Sequence, residues 1–561
     1  VQYKPEIPLT LSKSYRMKYK TLKRIRVIIS LIFLILLGIF FLDYADAFPS
    51  DFIRGVVYLQ FFPSVLKFFN VFTWIATGFI VILILTLLFG RVYCSTVCPL
   101  GILQDVISFL RLKLNRKKKK RKRYNYRYLK PLRWLRYPIL LIAIGFLISG
   151  SMLVFSLLDP YSIFGRIVTD IFSPLLRHGN NFLASILNNY DIYAFYKIDT
   201  YPPHTGIIAF SIGFLLLIGW LSATKGRLYC NTVCPVGTFL GLVSKISVFK
   251  IRLNPDTCTK CGLCERACKG GCIETKTQTV DFARCVGCFN CLQVCPFSSA
   301  EYSLNGIYKS FKPVSAKTSG ASQAAATGSN NLQSNHQTDT GKRQFLAGMA
   351  LAFLSITKLG RAQDIVSFSA TNPIKREHPI SPPGAKNTDR FNETCTACHL
   401  CINACPTRVL QPSLLDYGLR GFMQPRMDNH AGFCNYDCTA CTEVCPTGAL
   451  LPLKLEDKQL TQIGQVQFVK KNCIVETEGT DCGSCSEHCP TKAVYMVDYK
   501  NGLRIPETNT DICIGCGACE YACPTQPYKA IYVEGNPVHQ EAEKPDQEKV
   551  KTEEREEDFP F

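Results

Sequence analysis

Cys258-Thr259-Lys260-Cys261-Gly262-Leu263-Cys264-Glu265-Arg266-Ala267-Cys268, followed by Cys285-Val286-Gly287-Cys288-Phe289-Asn290-Cys291-Leu292-Gln293-Val294-Cys295-Pro296, decides how this chain is read. Each run spaces four cysteines as C-x2-C-x2-C-x3-C. Structural zinc usually takes two separated pairs of ligands, and a disulfide scaffold belongs to small secreted domains. A close tetrad repeated at once is the spacing of [4Fe–4S] ligation, in which the fourth cysteine serves the other cluster. Cys258, Cys261 and Cys264 should therefore join Cys295, and Cys285, Cys288 and Cys291 should join Cys268. Cys272 falls outside the pattern and stays unassigned.

The pattern continues downstream. Cys395, Cys398, Cys401 and Cys405 repeat it, as do Cys513, Cys516, Cys519 and Cys523. Cys434, Cys438, Cys441 and Cys445 open the first gap by one residue. Cys473 precedes Cys482, Cys485 and Cys489 by a longer insertion. The six tetrads use 24 of 29 cysteines. Within the last four, adjacent pairing (first with second, third with fourth) and nested pairing (first with fourth, second with third) both remain open. Cys395-Thr396-Ala397-Cys398-His399 also matches the C-x-x-C-H haem motif. Its cysteines continue to Cys401 and Cys405-Pro406, and one segment cannot serve both purposes, so the cluster reading is preferred.

The rest of the chain has a different character. Four apolar stretches, about Val27–Leu42, Val71–Phe89, Tyr137–Leu158 and Gly206–Leu221, approach the length of roughly 20 residues that a spanning helix needs. Net charge is +21, from 64 basic and 43 acidic residues. Nucleic-acid binding does not follow from it, because the basic residues cluster at 12–26, 111–136 and 225–252, next to the apolar stretches. The connections 43–70 and 159–205 are poor in Lys and Arg. The positive-inside rule then places the N-terminus and the end of the fourth helix in the cytoplasm.

An internal repeat lies in the same half. Gly90-Arg91-Val92-Tyr93-Cys94-Ser95-Thr96-Val97-Cys98-Pro99-Leu100-Gly101 recurs 136 residues later as Gly226-Arg227-Leu228-Tyr229-Cys230-Asn231-Thr232-Val233-Cys234-Pro235-Val236-Gly237. Repeats of like orientation can be related by an axis along the membrane normal. Such an axis would gather Cys94, Cys98, Cys230 and Cys234 into one four-thiolate site, an additional place for a metal or cluster.

The expected architecture is multi-domain. An N-terminal α-helical membrane domain of four helices, with two C-x3-C-P motifs, occupies 1–252. Small α+β bacterial-ferredoxin-like [4Fe–4S] domains follow: a two-cluster unit at 253–300 and a four-cluster unit at 365–535. Between them, 301–342 reads as a flexible linker rich in Ser, Asn, Gln and Gly. Lys342-Arg343-Gln344-Phe345-Leu346 opens a short apolar run over 343–361. It resembles a twin-arginine signal or a fifth transmembrane helix, with Lys342 in place of the first arginine. The end, 536–561, is acidic and reads as disordered. This scheme puts the chain in a bacterial inner (cytoplasmic) membrane, multi-pass, with 253–300 cytoplasmic and 365–561 periplasmic.

On these motifs the first half resembles the membrane subunit of the quinol dehydrogenase associated with periplasmic nitrate reductase. Residues 343–523 resemble that system's exported four-cluster subunit, so the chain looks like a fusion of the two. The resemblance implies electron transfer through about six [4Fe–4S] clusters, with quinol as substrate, and membrane lipid, the quinone pool and an extracytoplasmic reductase or cytochrome as partners. It names no catalytic residue. Asp159, Tyr161 and His204, near the outer ends of helices three and four, are the candidates for a quinol site. No G-x-G-x-x-G fingerprint is present. A competing resemblance is to ferredoxin-like factors that assist copper-oxidase assembly, which share C-x3-C-P but end in an immunoglobulin-like domain that this chain lacks. A third is to regulators of the nitrous-oxide-reductase type, whose flavin domain is absent here.

Overall fold

The computed structural model describes residues 9–43, 48–71, 77–117, 126–191, 193, 195–198, 205–304 and 372–544. The signal-like segment, most of the expected linker, His204 and the run 118–125 lie outside the described residues. The described residues up to 303 and from 372 onward group as one compact unit.

The N-terminal half is helical: α1 (Leu9–Phe40), α2 (Ser50–Val57), α3 (Phe61–Val71), α4 (Gly78–Phe89), α5 (Tyr93–Thr96), α6 (Pro99–Lys117), α7 (Arg133–Ile148), α8 (Leu153–Leu158), α9 (Pro160–Ile167), a π-helical turn (Val168–Phe172), α10 (Ser173–Asn188), α11 (Thr205–Lys225), α12 (Leu228–Thr232) and α13 (Pro235–Ser244). The expectation of four spanning helices is corrected. Among the described residues one helix, α11, is long and apolar enough to cross a membrane, and α2 with α3, bent by 111°, would count as a second. The reason is local. The stretch expected over Tyr137–Leu158 is broken where Gly150, at φ +73°, ends α7. Ser151 N–H there donates back to the Phe146 carbonyl at 2.8 Å, a Schellman-type stop. The stretch expected over Val71–Phe89 is divided between the end of α3 and a 12-residue α4. The helices nonetheless turn apolar side chains outward: Ile32 and Ile35 on α1, Ile84 on α4, Leu141 on α7 and Leu216 on α11 are all exposed.

The cysteine-rich segments contain little regular structure. The first unit pairs β1 (Phe249–Leu253) with β4 (Ala300–Leu304), and β2 (Ile273–Glu274) with β3 (Thr279–Val280). The second pairs β5 (Leu410–Pro412) with β6 (Pro425–Met427), β8 (Val494–Asp498) with β9 (Arg504–Thr508), and β7 (Thr461–Phe468) with β10 (Ile531–Glu541). β10 thus continues into the stretch expected as tail. The two units sit at opposite ends of the helices. Midway along α1, Lys23 donates to Gln293 of the first unit at 2.8 Å. Just past its end, the Asp43 carbonyl accepts from Asn403 of the second, also at 2.8 Å. At 1.5 Å per residue these points are about 30 Å apart along the helix axis.

Candidate iron–sulfur centres

In the four regular tetrads the backbone takes the same path. The residues before and after the second cysteine are left-handed: Lys260 and Gly262, Gly287 and Phe289, Ala397 and His399, Gly515 and Gly517. Non-glycine residues in that region are strained, and they recur here because the turn wraps the chain around one point. A one-turn helix then carries the third cysteine, as in Leu263–Ala267 and Asn290–Val294. The irregular tetrads lack this turn after the second cysteine: Thr439 and Gly483 have φ near −120°.

Tertiary packing gathers the thiols in crossed sets. Cys264 lies among Cys258, Cys261 and Cys295, and Cys291 lies near Cys285, Cys288 and Cys268. In the outer unit Cys401 neighbours Cys395, Cys398 and Cys445, while Cys405 shares a cavity with Cys434, Cys438 and Cys441. Cys523 shares another with Cys473, Cys482 and Cys485, and Cys519 lies near Cys489, Cys513 and Cys516. The outer tetrads therefore pair with their neighbours in sequence, first with second and third with fourth. Each set offers four soft thiolate donors, a donor set suited to a [4Fe–4S] cluster, with Cys261 of the first set exposed. Among the described residues no three His, Cys, Asp or Glu side chains converge tightly enough to hold a single metal ion.

Sequence reasoning did not single out the threonines that follow. Thr407, Thr447, Thr491 and Thr525 place their hydroxyls 3.7, 3.7, 3.8 and 3.1 Å from the Sγ of Cys405, Cys445, Cys489 and Cys523. The signal was present as Cys-Pro-Thr in all four outer tetrads. The inner Cys295-Pro296 is followed by Phe297.

The duplicated motif forms a further site. Cys94, Cys98, Cys230 and Cys234 are 2–4 % exposed, and Cys234 neighbours the other three. Pro99 and Pro235 open helices α6 and α13, where a missing N–H costs nothing. The two arms clasp each other reciprocally. Arg91 Nη2 donates to the Cys230 carbonyl at 3.1 Å, and Arg227 Nη1 donates to the Cys94 carbonyl. A Cβ on Gly101 would come within 2.3 Å of the Cys94 oxygen, and one on Gly237 within 2.3 Å of the Cys230 oxygen. Both positions must therefore stay glycine for the arms to close.

Charge around this site is held by Asp105. Its carboxylate contacts Arg227 at 2.9 Å and Arg26 and Lys269 at 3.2 Å. Burial alone would raise its pKa, but the Arg227 and Lys269 cations override burial and hold it well below the usual carboxylate range.

The outer unit docks through buried polar contacts. His399 Nδ1 lies 2.8 Å from Asp170 Oδ1, and its Nε2 lies 2.9 Å from the Met423 carbonyl. Asp170 stands on the π-helical turn and accepts from Ser211 at 2.7 Å. Of the quinol candidates, Asp159 caps α9, accepting from Ser162 N–H and Oγ at 2.9 Å. Tyr161 is buried beside Phe41, 5.5 Å between ring centroids, and its hydroxyl has no hydrogen-bond partner among the described residues.

Known proteins carry the same modules. A family described as 4Fe-4S binding domain matches 71–118 and 207–254, the two arms of the repeat. Two families described as 4Fe-4S dicluster domain match 394–450 and 479–526, and another 4Fe-4S binding domain matches 285–299. The methylamine utilization ferredoxin-type protein MauM of Methylophilus methylotrophus is 30 % identical over 30 % of this chain and 77 % of its own length. The chain belongs to the ferredoxin-type proteins. Another member of this ferredoxin-type group, NapG of Escherichia coli (strain K12), is 27 % identical over 33 % of the chain and 81 % of its own length. The electron transport protein YccM of the same organism is 28 % identical over 39 % of the chain, which spans about half of YccM, 52 %. No solved structure matches. The chain is thus an iron–sulfur electron-transfer protein of ferredoxin type, with several 4Fe-4S binding domains.

Proposed function

We propose that the chain is a membrane-anchored conductor that moves electrons between the quinol pool and an extracytoplasmic reductase or cytochrome. Six tetrads would each hold a [4Fe–4S] cluster, and Cys94, Cys98, Cys230 and Cys234 a seventh. Bound clusters supply one-electron carriers; the chain supplies their placement and insulation.

One observation carries this reading. A single buried core contains Cys288 of the inner unit, all four C-x3-C-P cysteines, and Cys398 of the outer unit. The thiols of both ends and of the centre are thus embedded in one continuous apolar packing, with Tyr93, Tyr229 and Tyr161 among them. Without the central site, the roughly 30 Å of helix between the two units would have no carrier. The exposed apolar faces of α1, α4, α7 and α11 support anchoring in lipid, since soluble surfaces rarely expose large apolar patches. Docking of the outer unit at the far end of α1 from the basic N-terminal segment supports its placement outside the cytoplasm.

The test is anaerobic reduction of the purified chain by a quinol analogue, followed by electron paramagnetic resonance. Signals from reduced clusters are expected, and a Cys94→Ser variant should reduce only one group of clusters. Tight copper binding with no cluster reduction would sink the proposal.

A further inference from the structure

The second inner tetrad is surrounded by five thiols. Cys268, Cys285, Cys288 and Cys291 share their cavity with Cys272, which is 2 % exposed. Cys272 Sγ lies 3.4 Å from Cys268 Sγ and also contacts the thiol of Cys285. A buried cysteine that serves only as a small hydrophobe would pack among carbon atoms. This one stands between two ligand sulfurs of one cluster.

The backbone explains how it gets there. In the other five tetrads the fourth cysteine precedes proline: Pro296, Pro406, Pro446, Pro490 and Pro524. Proline fixes φ and leads the chain away. Cys268 instead precedes Lys269-Gly270-Gly271-Cys272. Lys269 is held at Asp105 by its ammonium, at 3.2 Å, and at Arg227 N–H by its carbonyl, at 3.0 Å. Gly271 then turns with φ +57° and brings Cys272 back onto Cys268. The Asp281 N–H holds the Cys272 carbonyl at 2.8 Å, so the thiol is already seated beside Cys268 and needs little movement to take the same corner.

We propose that Cys272 is an alternate ligand for the iron corner otherwise held by Cys268. The step is a ligand exchange without electrons. The iron–sulfur bond to Cys268 breaks and one to Cys272 forms, while the proton of the Cys272 thiol passes to the released Cys268 thiolate. The inner cluster next to the C-x3-C-P site would then keep four thiolates when one ligand is lost. The proposal rests on the iron–sulfur reading of this tetrad.

The experiment uses the full chain, purified anaerobically, with iron and acid-labile sulfide per chain and the reduced-state paramagnetic spectrum as readouts. Cys268→Ala should retain wild-type iron and show one shifted signal. Cys268→Ser should give the same spectrum as Cys268→Ala, because residue 268 no longer touches iron. Cys268→Ala/Cys272→Ala should lose one cluster's iron and sulfide and keep the rest. Loss of that cluster in Cys268→Ala alone, or a distinct serine-ligated spectrum in Cys268→Ser, overturns the alternate-ligand assignment. Cys288→Ala separates the two readings: its thiol is not one that Cys272 touches, so it should lose one cluster whichever cysteine takes the fourth corner. Full iron in Cys288→Ala would instead overturn the cluster site itself.

Discussion

Asp105→Asn removes the one carboxylate that three cations share. Arg227 is fully buried at 0 % side-chain exposure, whereas Lys269 and Arg26 keep 11 % and 8 %. The latter two can recover some hydration, and Arg227 cannot. Breaking one buried pair costs about 3–5 kcal/mol, so the Arg227 penalty sets a loss of about 4 kcal/mol. That is roughly three orders of magnitude in the unfolding equilibrium, and on the order of 3 °C in the melting midpoint of a chain this long. The carboxyl's folded pKa lies below its unfolded value, so its stabilisation is present above the usual carboxylate range and lost only as pH falls below it. The deficit of Asp105→Asn should therefore be the same at pH 6 and pH 8. Thermal unfolding of the cluster-loaded chain in detergent, followed by loss of visible absorbance, measures it. Because Arg227 also clasps the Cys94 carbonyl, iron should leave the variant faster when a chelator is present. A variant within about 1 kcal/mol of the parent would refute the view that this carboxylate neutralises a buried cluster of cations.

Four other outcomes follow from the geometry. Gly101→Ala and Gly237→Ala each drive a methyl to 2.3 Å from a carbonyl oxygen, and should cost about 1–3 kcal/mol and the iron of the C-x3-C-P site; Gly213→Ala, with nothing within 4 Å, is the control. Thr525→Val removes a hydroxyl 3.1 Å from Cys523 Sγ; loss of about 1 kcal/mol of hydrogen bonding should lower that cluster's potential by on the order of 40 mV, read by a redox titration. His399→Ala leaves the buried Asp170 with only its Ser211 contact, and a double-mutant cycle with Asp170→Asn should show coupling above about 1.5 kcal/mol between the outer unit and the helices. His539 is pushed down to about 4 by burial. Its neutral form is the folded one, so stability is fully present above the ordinary value near 6.5 and falls with acidification. About 2 kcal/mol should be lost between pH 7 and pH 5, and His539→Asn should remove that slope in unfolding measurements.

Spacing alone was enough to group the thiols. Three cysteines within seven residues can reach one cluster whatever the rest of the chain does, so Cys258, Cys261 and Cys264 were legible as a set. The same locality made the duplicated Cys-Pro motif visible, and left-handed turns at Gly262 and Gly517 follow from where the glycines stand. Helix length was less legible. An apolar run reads as continuous, yet Gly150 ends α7 at a stop made by backbone hydrogen bonds that hydropathy does not register. The threonines after Cys-Pro were in plain view, but their use depends on a hydroxyl folding back onto a sulfur.

The sequence by itself determined which thiols stand in close tetrads and that two arms of one motif repeat, because both are matters of short-range spacing. Only the tertiary structure decided between adjacent and nested pairing of the outer tetrads, since Cys405 and Cys445 reach their partners across intervening loops. It alone joined Cys94 to Cys230 through arginines exchanged between the arms. It also placed Cys272, a residue outside every motif, against two ligand sulfurs, because a Gly-Gly turn returns the chain where proline elsewhere sends it away.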